Sequence, residues 1–410
     1  MDGHASLIVA VGTMLTPRSW KSATSEEAVR RTMTSEQAFM PSLGLAAEPI
    51  DLAMVARCVA AALQGPEVNP NPRVGSVIVD DAGVVIGVGH HDGAGTPHAE
   101  VMALAQAGGR AQGATAYVSL EPCAHHGRTP PCAQALLDAG VARVVYAVAD
   151  PDARAAGGAQ WLAQRGVRVD HIGHPDAEAL VRHWAFAVRA GRPWVTWKFA
   201  ATLDGRVAAS DGSSAWVTSE AARADVHALR SRCGAILVGT GTVLADNPTL
   251  TARHEDGSLY ADQPLRVVVG LRDLPPQAHL SVTGDRAEGT TTDVDASSAG
   301  GATAGPPVLE PLHLRTHEVT EVLEELHTRG VHRVLLEGGP TLASALWRAG
   351  CVDEVVAYLA PALLGSGASA VGDLGITTMS GIARLDLVET VPVGPDLRIT
   401  AYPRRTPQED

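Results

Sequence analysis

A histidine, two cysteines and a glutamate define the chemistry open to this chain. His98 and Glu100 stand in His98-Ala99-Glu100, Cys123 follows Pro122, and Cys132 follows Pro131. Zn2+ accepts imidazole nitrogen and thiolate sulfur, and three protein ligands leave a fourth tetrahedral position open, the mark of a catalytic rather than a structural site. His98, Cys123 and Cys132 are the candidate ligands. Glu100 lies two residues beyond His98, so on a helix starting there it points to a different side and can move protons instead of binding metal. This order of ligands and unligated carboxylate is what hydrolytic deamination of a nucleobase needs. A closed structural zinc site is the competing reading, with His125 or His126 as its fourth ligand. Cys58, Cys233 and Cys351 read as small buried hydrophobes.

The flanking pattern says which elements hold these groups. Residues 116–120 form a short apolar run that reads as a strand, and Pro131 begins a helical pattern that ends near Gly140. Cys132 then sits in the first turn, where the helix dipole favours thiolate. Leu52, Val55, Ala56, Val59 and Leu63 recur at helical spacing and open the folded region. Strands at 74–79, 84–88 and 143–148, a helix opening at His98 and a helix over 176–190 complete a first α/β domain over 49–191. It closes at Gly191-Arg192-Pro193. A second α/β domain spans 192–404, with strands at 194–201, 235–238, 265–269, 333–336 and 354–359 and helices over 219–231, 319–329 and 341–348. Residues 1–48 show no sustained period and read as a poorly ordered extension. Residues 281–307 collapse to Gly, Ala, Ser, Thr and Asp, a low-complexity insertion.

Composition narrows the partners. The chain has 410 residues, and 32 Lys and Arg against 45 Asp and Glu give a net charge of −13, which argues against a general nucleic-acid surface. No apolar run reaches the roughly 20 residues that span a bilayer. Residues 7–11 are apolar but have no preceding Lys or Arg, which argues against a signal peptide. Five cysteines, two of them assigned to zinc, suit a reducing, cytoplasmic location. The expected partner is a small molecule, with neither nucleic acid nor membrane. A homo-oligomer is allowed but not specified.

The second half carries its own candidates. Glu337-Gly338-Gly339-Pro340-Thr341 follows a strand and enters a helix, and the segment 239–248 reads as a second loop after a strand. Exposed amides in such loops can approach phosphate, so a dinucleotide crevice competes with plain tight turns. Lys198 is one of only two lysines and lies in an apolar strand six residues before Asp204. An active-site role competes with a lysine snorkelling at a strand edge.

Taken together these residues resemble the bifunctional riboflavin-biosynthesis deaminase/reductase family. The deaminase motif is carried by 69–75, His98-Ala99-Glu100 and the stretch 121–132, whose long loop between cysteines separates it from tRNA-adenosine and cytidine deaminases. The reductase pattern is carried by Lys198, 203–206, Ser214, Trp216, Arg230, 242–248, Arg253 and 337–342. The resemblance covers about residues 51 to 402. It implies a cytidine-deaminase-like α/β/α domain followed by a dihydrofolate-reductase-like α/β domain. The implied reactions are zinc-dependent deamination of 2,5-diamino-6-ribosylamino-4(3H)-pyrimidinone 5′-phosphate, then reduction of the ribosyl group to ribityl by NADPH.

By the same resemblance Asn71 contacts substrate in the first site, and Lys198, Ser214, Arg230, Leu250, Arg253 and Glu337 do so in the second. Ala200, Trp216, Thr242, Asp246 and the run Gly339, Pro340, Thr341, Leu342, Ala343, Ser344 and Ala345 match cofactor-contacting positions. Two departures stand out: residues 155–159 lack the family's basic residue, and Gly270-Leu271 replaces an acidic residue and a serine. Two other readings remain open at this point. One is a deaminase with a non-reducing C-terminal scaffold, and the other a non-catalytic zinc-stabilised binding protein.

Overall fold

The computed structural model describes residues 48–125, 130–281 and 310–404. Residues 1–47 of the expected extension, most of the 281–307 insertion and the motif residues 126–129 therefore lie outside the described residues.

The first sheet forms from α1 (Pro49–Ala62), β1 (Gly75–Val79), β2 (Val85–His90), α2 (Ala99–Ala107), β3 (Thr115–Val118), α3 (Cys132–Asp138), β4 (Arg143–Tyr146), α4 (Gly158–Ala163), β5 (Arg168–His171) and α5 (Pro175–Ala190). Its strand order is β2-β1-β3-β4-β5. Strand β1 is antiparallel to both neighbours, while β3, β4 and β5 run parallel. Alternation sorts the side chains. Ile78, Ala116 and Val144 join Ala103 and Ala107 of α2, Leu136 of α3 and Leu162 of α4 on one face. Their neighbours Val77, Val79, Tyr117 and Val145 join Val55 and Cys58 of α1 and Ala177 of α5 on the other. Two helical layers thus sandwich the sheet.

The second half comprises β6 (Trp194–Thr202), β7 (Arg206–Ala208), α6 (Glu220–Arg230), β8 (Ala235–Gly239), α7 (Thr240–Asp246), β9 (Leu265–Val269), β10 (Leu312–Leu314), α8 (Val319–Thr328), β11 (Arg333–Leu336), α9 (Pro340–Arg348), β12 (Glu354–Ala360), β13 (Ala368–Ser369), β14 (Leu385–Val393) and β15 (Asp396–Pro403). Strands β7 and β13 pair antiparallel as a small sheet of their own, and the main sheet has the order β10-β9-β8-β11-β6-β12-β15-β14. The first six strands run parallel, and β15 and β14 close it as an antiparallel pair. Leu237, Val267, Val334 and Leu336 bury against α8 and α9 on one face. Ile236, Val268 and Leu335 bury against Val243 of α7 and Leu250 on the other.

The structure departs from the sequence reading in places. The segment 239–248, read as a loop, is mostly helix: α7 begins directly after β8, buries Thr240 and Val243, and ends at Asn247 in a left-handed conformation before Pro248. The Gly-Thr-Gly spelling hid a short helix whose stability comes from packing rather than propensity. Elements α4, β5, β7, β10 and β13 to β15 were not anticipated; most are short, β14 is exposed on most positions, and β15 is largely half-buried without a clean two-residue alternation. His98 does not begin a helix but caps α2 in an extended conformation.

The halves meet along α5. Trp194 of β6 packs edge-on against Phe186 of α5, with ring centroids 5.1 Å apart, and Arg182 donates to the Tyr402 hydroxyl at 2.7 Å. At Gly330 a side chain would come within 3.3 Å of Pro70, so the turn before β11 rests on the loop that carries Asn71.

Candidate active sites

The first site is assembled where α2 and α3 begin. Helix α2 lies so close to β2 that a Cβ at Gly87 or Gly89 would sit 2.1 or 2.2 Å from the carbonyls of Ala103 and Ala99. That approach seats His98 and Glu100 at the sheet end. His98 Nδ1 lies 3.1 Å from Cys132 Sγ and 3.7 Å from Cys123 Sγ, and the three ligand atoms all fall within 4.8 Å of one another. The sequence expected the helix start to favour thiolate at Cys132. Instead the Cys132 amide donates to Cys123 Sγ at 3.3 Å, so the α3 N-terminus serves the other sulfur.

Charges in this cluster show what it lacks on its own. The Cys132 thiol donating to it, opposed by burial and aided by His98, holds Cys123 down at about 4. Cys132 is pushed far up, first by that same donated bond and then by burial. The Cys123 hydrogen bond raises His98. Two sulfurs this close cannot both ionise without a cation between them, and zinc with these soft donors is the fitting ion. Glu100 is 3% exposed, and burial, followed by the negative charge of Cys123, lifts its carboxyl to about 7, the range of a working general acid/base. It stands outside the ligand group. His125 is exposed and outside that group as well, so no fourth ligand closes the site among the described residues.

Asn71 reaches this site through a residue the sequence reading passed over. Its Nδ2 lies 3.0 Å from His91 Nε2, while His91 Nδ1 lies 3.0 Å from the Pro97 carbonyl. A carbonyl only accepts, so Nδ1 carries the proton and the Asn71 amide donates to Nε2. The His91 ring meets His98 edge-on at 5.2 Å. The only sequence signal was a histidine seven positions before His98. Glu121, buried, accepts from the amides of Asp150, Gly157 and Ala159 and so ties down the departing 155–159 loop. A Cβ at Gly158 would lie 1.7 Å from the Pro122 carbonyl, so a glycine holds this loop against the Cys123 segment.

The second site gathers around Glu337 at the end of β11. Arg230 donates to both carboxylate oxygens, at 2.6 and 3.0 Å, and Lys198 Nζ lies 3.6 Å away. Burial works against the ionised carboxyl, yet Arg230 and Lys198 outweigh it and hold Glu337 near 2. Burial draws Lys198 down in turn. Thr251 joins this cluster to the next loop: its carbonyl accepts from Arg230 at 3.0 Å and its hydroxyl from Arg253 at 2.9 Å. Leu250 beside it is buried with φ of +52°. Lys198, Arg230, Leu250, Arg253 and Glu337 are thus brought together.

Ser214 and Trp216 are not drawn into that cluster. Both lie on an exposed loop, where Arg223 covers the Trp216 ring at 4.5 Å.

Of the expected cofactor positions, Thr242 and the run from Gly339 lie where α7 and α9 begin, side by side after the paired strands β8 and β11, whereas Trp216 stays on its exposed loop. The Gly339 amide donates to Thr242 Oγ1 at 3.2 Å. Two helix N-termini at adjoining strand ends suit a phosphate-bearing cofactor. Ala343 is fully buried in the core and Ser344 nearly so, so neither of these expected contacts presents a surface to a cofactor here. Ala200 packs with Val356 and Tyr358, and Asp246 ends α7. Gly270, at the second departure, adopts φ of +129° against Thr240, a position where an L side chain would be strained.

Comparison with known proteins supports both halves. The family model for the cytidine and deoxycytidylate deaminase zinc-binding region matches residues 49–148, and that for the RibD C-terminal domain matches 193–399. The riboflavin biosynthesis protein RibD of Mycobacterium tuberculosis is 48% identical over 337 residues, covering 82% of this chain and 92% of the relative. That of Escherichia coli is 41% identical over 341 residues, covering 80% and 92%. Among solved structures, Acinetobacter baumannii RibD superposes with a TM-score of 0.74 at 36% identity, covering 87% of this chain and 99% of the other. A diaminohydroxyphosphoribosylaminopyrimidine deaminase/5-amino-6-(5-phosphoribosylamino)uracil reductase from Thermotoga maritima gives 0.69 at 30% identity, with the same coverage. With a zinc-dependent deaminase domain and an NADPH-dependent reductase domain on one chain, this protein belongs to the RibD family of bifunctional riboflavin-biosynthesis enzymes.

Proposed function

We propose that the first site deaminates 2,5-diamino-6-ribosylamino-4(3H)-pyrimidinone 5′-phosphate and that the second reduces the resulting uracil's ribosyl group to ribityl. The observation that carries this is the presence, on one chain, of the His98, Cys123, Cys132 and Glu100 cluster and of the Lys198, Arg230 and Glu337 cluster. Zinc held by His98, Cys123 and Cys132 supplies Lewis acidity that makes water nucleophilic at neutral pH. Glu100 accepts a proton from that water and returns one to the departing amine, so that water and substrate become the uracil and ammonia. Asn71, its amide turned by His91, orients the pyrimidine.

NADPH supplies the hydride for the second reaction. Arg230, anchored on Glu337, holds the sugar phosphate, and Lys198 on the same carboxylate orients the ribosyl group toward the crevice at the starts of α7 and α9. That hydride would go to C1′ and a proton from solvent to the ring oxygen that leaves it, opening the ribosyl group to ribityl.

We place the domain boundary at Gly191-Arg192-Pro193, where Gly191 ends α5 in a left-handed conformation and β6 starts at Trp194. Five cysteines without a disulfide support a reducing cytoplasm as the location. Among the described residues no helix is long and apolar enough to cross a membrane. Ammonia release and NADPH oxidation, measured separately with the pyrimidine phosphate, test the proposal. Release without oxidation would restore the scaffold reading, and neither activity would restore the binding-protein reading.

A further inference from the structure

The last turns of α6 present His227 and Arg230, three residues apart and so on one face. Both converge on a single atom. His227 Nδ1 lies 3.1 Å from the Thr251 carbonyl oxygen, and Arg230 Nη1 lies 3.0 Å from the same oxygen. The carbonyl only accepts, so Nδ1 carries the proton and donates. Burial, with Arg230 nearby, pushes the His227 ring down to about 4, so it is neutral at physiological pH.

This bond joins others in holding the 247–253 loop, where Asn247 Oδ1 accepts from the His279 amide and Gln263 pairs with the Ala252 backbone. Leu250 has φ of +52°, a left-handed value that a branched side chain keeps only when its surroundings impose it, whereas Asn247, at +40°, takes such a value readily. Leu250 and Thr251 are 3% and 6% exposed. The Thr251 hydroxyl in turn accepts from Arg253 Nε at 2.9 Å, so Arg253 takes its place from the same residue that His227 and Arg230 grip. Lys198 and Arg230 share one acidic partner, Glu337, and Arg253 is tied through Thr251 to the same Arg230. The surplus positive charge suits a phosphate monoester.

We propose that His227 is a positioning residue for the reduction: by holding the Thr251 carbonyl it sets the 247–253 loop so that Arg253 and Arg230 take the substrate's phosphate together. This rests on the reductase reading above. His227 itself touches neither substrate nor cofactor. Its role is geometric, and it governs selection of the phosphorylated substrate over its dephosphorylated form.

Two amide variants in the full-length, zinc-loaded protein test it. In H227N the side-chain amide places a donor near the position of Nδ1, whereas in H227Q the extra methylene carries it past the Thr251 carbonyl. KM and kcat for NADPH oxidation are measured with 5-amino-6-(5-phosphoribosylamino)uracil and with its dephosphorylated riboside. H227Q should raise KM for the phosphorylated substrate about tenfold, the scale of one lost buried hydrogen bond, while H227N stays within about threefold of wild type. Both should leave kcat, the KM for NADPH and the KM for the riboside within about twofold, since the latch acts only through the phosphate pair. A wild-type KM in H227Q, equal impairment of both variants, or a loss falling on kcat, NADPH or the riboside would each overturn the latch. Absence of NADPH oxidation in the wild-type protein would overturn the reductase reading instead.

Discussion

Replacing Glu337 by glutamine removes one negative charge and almost no volume, and its cost follows from the geometry around it. Arg230 meets the carboxylate with two short bonds and Lys198 stands 3.6 Å away, and all three side chains are largely shielded from water. A carboxyl held near 2 against an ordinary 4.5 reports about 3 kcal/mol of net stabilisation of its charged form, what the two cations contribute beyond the cost of burial. Breaking a buried pair by removing one partner costs roughly 3–5 kcal/mol, because the remaining charge is left without a counter-ion. The two figures agree, so E337Q should lose about 3 kcal/mol at pH 7.

The pH dependence of that loss is the stricter test. A depressed carboxyl contributes its full stability above the unfolded value, 4.5, and loses it as pH falls toward the folded value near 2. The difference between wild type and E337Q should therefore be constant from pH 7 to about 6 and roughly halve by pH 3. Urea unfolding followed by tryptophan fluorescence at several pH values measures it. NADPH oxidation should fall sharply in E337Q while ammonia release is retained. A difference below about 0.5 kcal/mol at pH 7, or one that does not change with pH, would show that water rather than Glu337 balances Lys198 and Arg230.

Four shorter tests accompany it. Cys123→Ser and Cys132→Ser should each abolish stoichiometric zinc by metal analysis, because a hydroxyl replaces thiolate poorly; full occupancy in both would refute the ligand set. Glu100→Gln should keep zinc and reductase activity but release ammonia roughly 100-fold more slowly or worse, and near-normal release would assign the proton transfers elsewhere. Gly158→Ala places a Cβ 1.7 Å from the Pro122 carbonyl; about 1–3 kcal/mol of strain should lower the melting temperature and speed zinc loss to a chelator, and unchanged behaviour would mean the loop gives way freely. A fragment from Pro49 to Ala190 should bind zinc and release ammonia, yet it bares Phe186, which packs on Trp194, so it should melt below the full chain. Failure of the soluble fragment to bind zinc would move the boundary.

The His98, Cys123 and Cys132 trio and the glutamate beside it were legible in the sequence because their chemistry is local in type and in order. His98 and Glu100 fall within three residues, and Pro131 places Cys132 at a helix start. The alternation of Val77, Ile78 and Val79 likewise announces a strand buried on both faces, since a period of two is a property of the chain itself. The alternation of strands and helices fixed the α/β class in the same way.

Tertiary structure alone decided what lies far apart along the chain. Arg230 and Glu337 are separated by 107 residues, and nothing near either one signals the other. Thr251, His227 and His91 are ordinary in sequence and acquire roles only when folding aims a carbonyl or an amide at them. The 240–246 helix escaped notice because burial of Thr240 and Val243 between strands, rather than residue propensity, stabilises it. The chain spells its donors and its periods. Which amide serves which sulfur, and which cation answers which carboxylate, depends on distances that only packing sets.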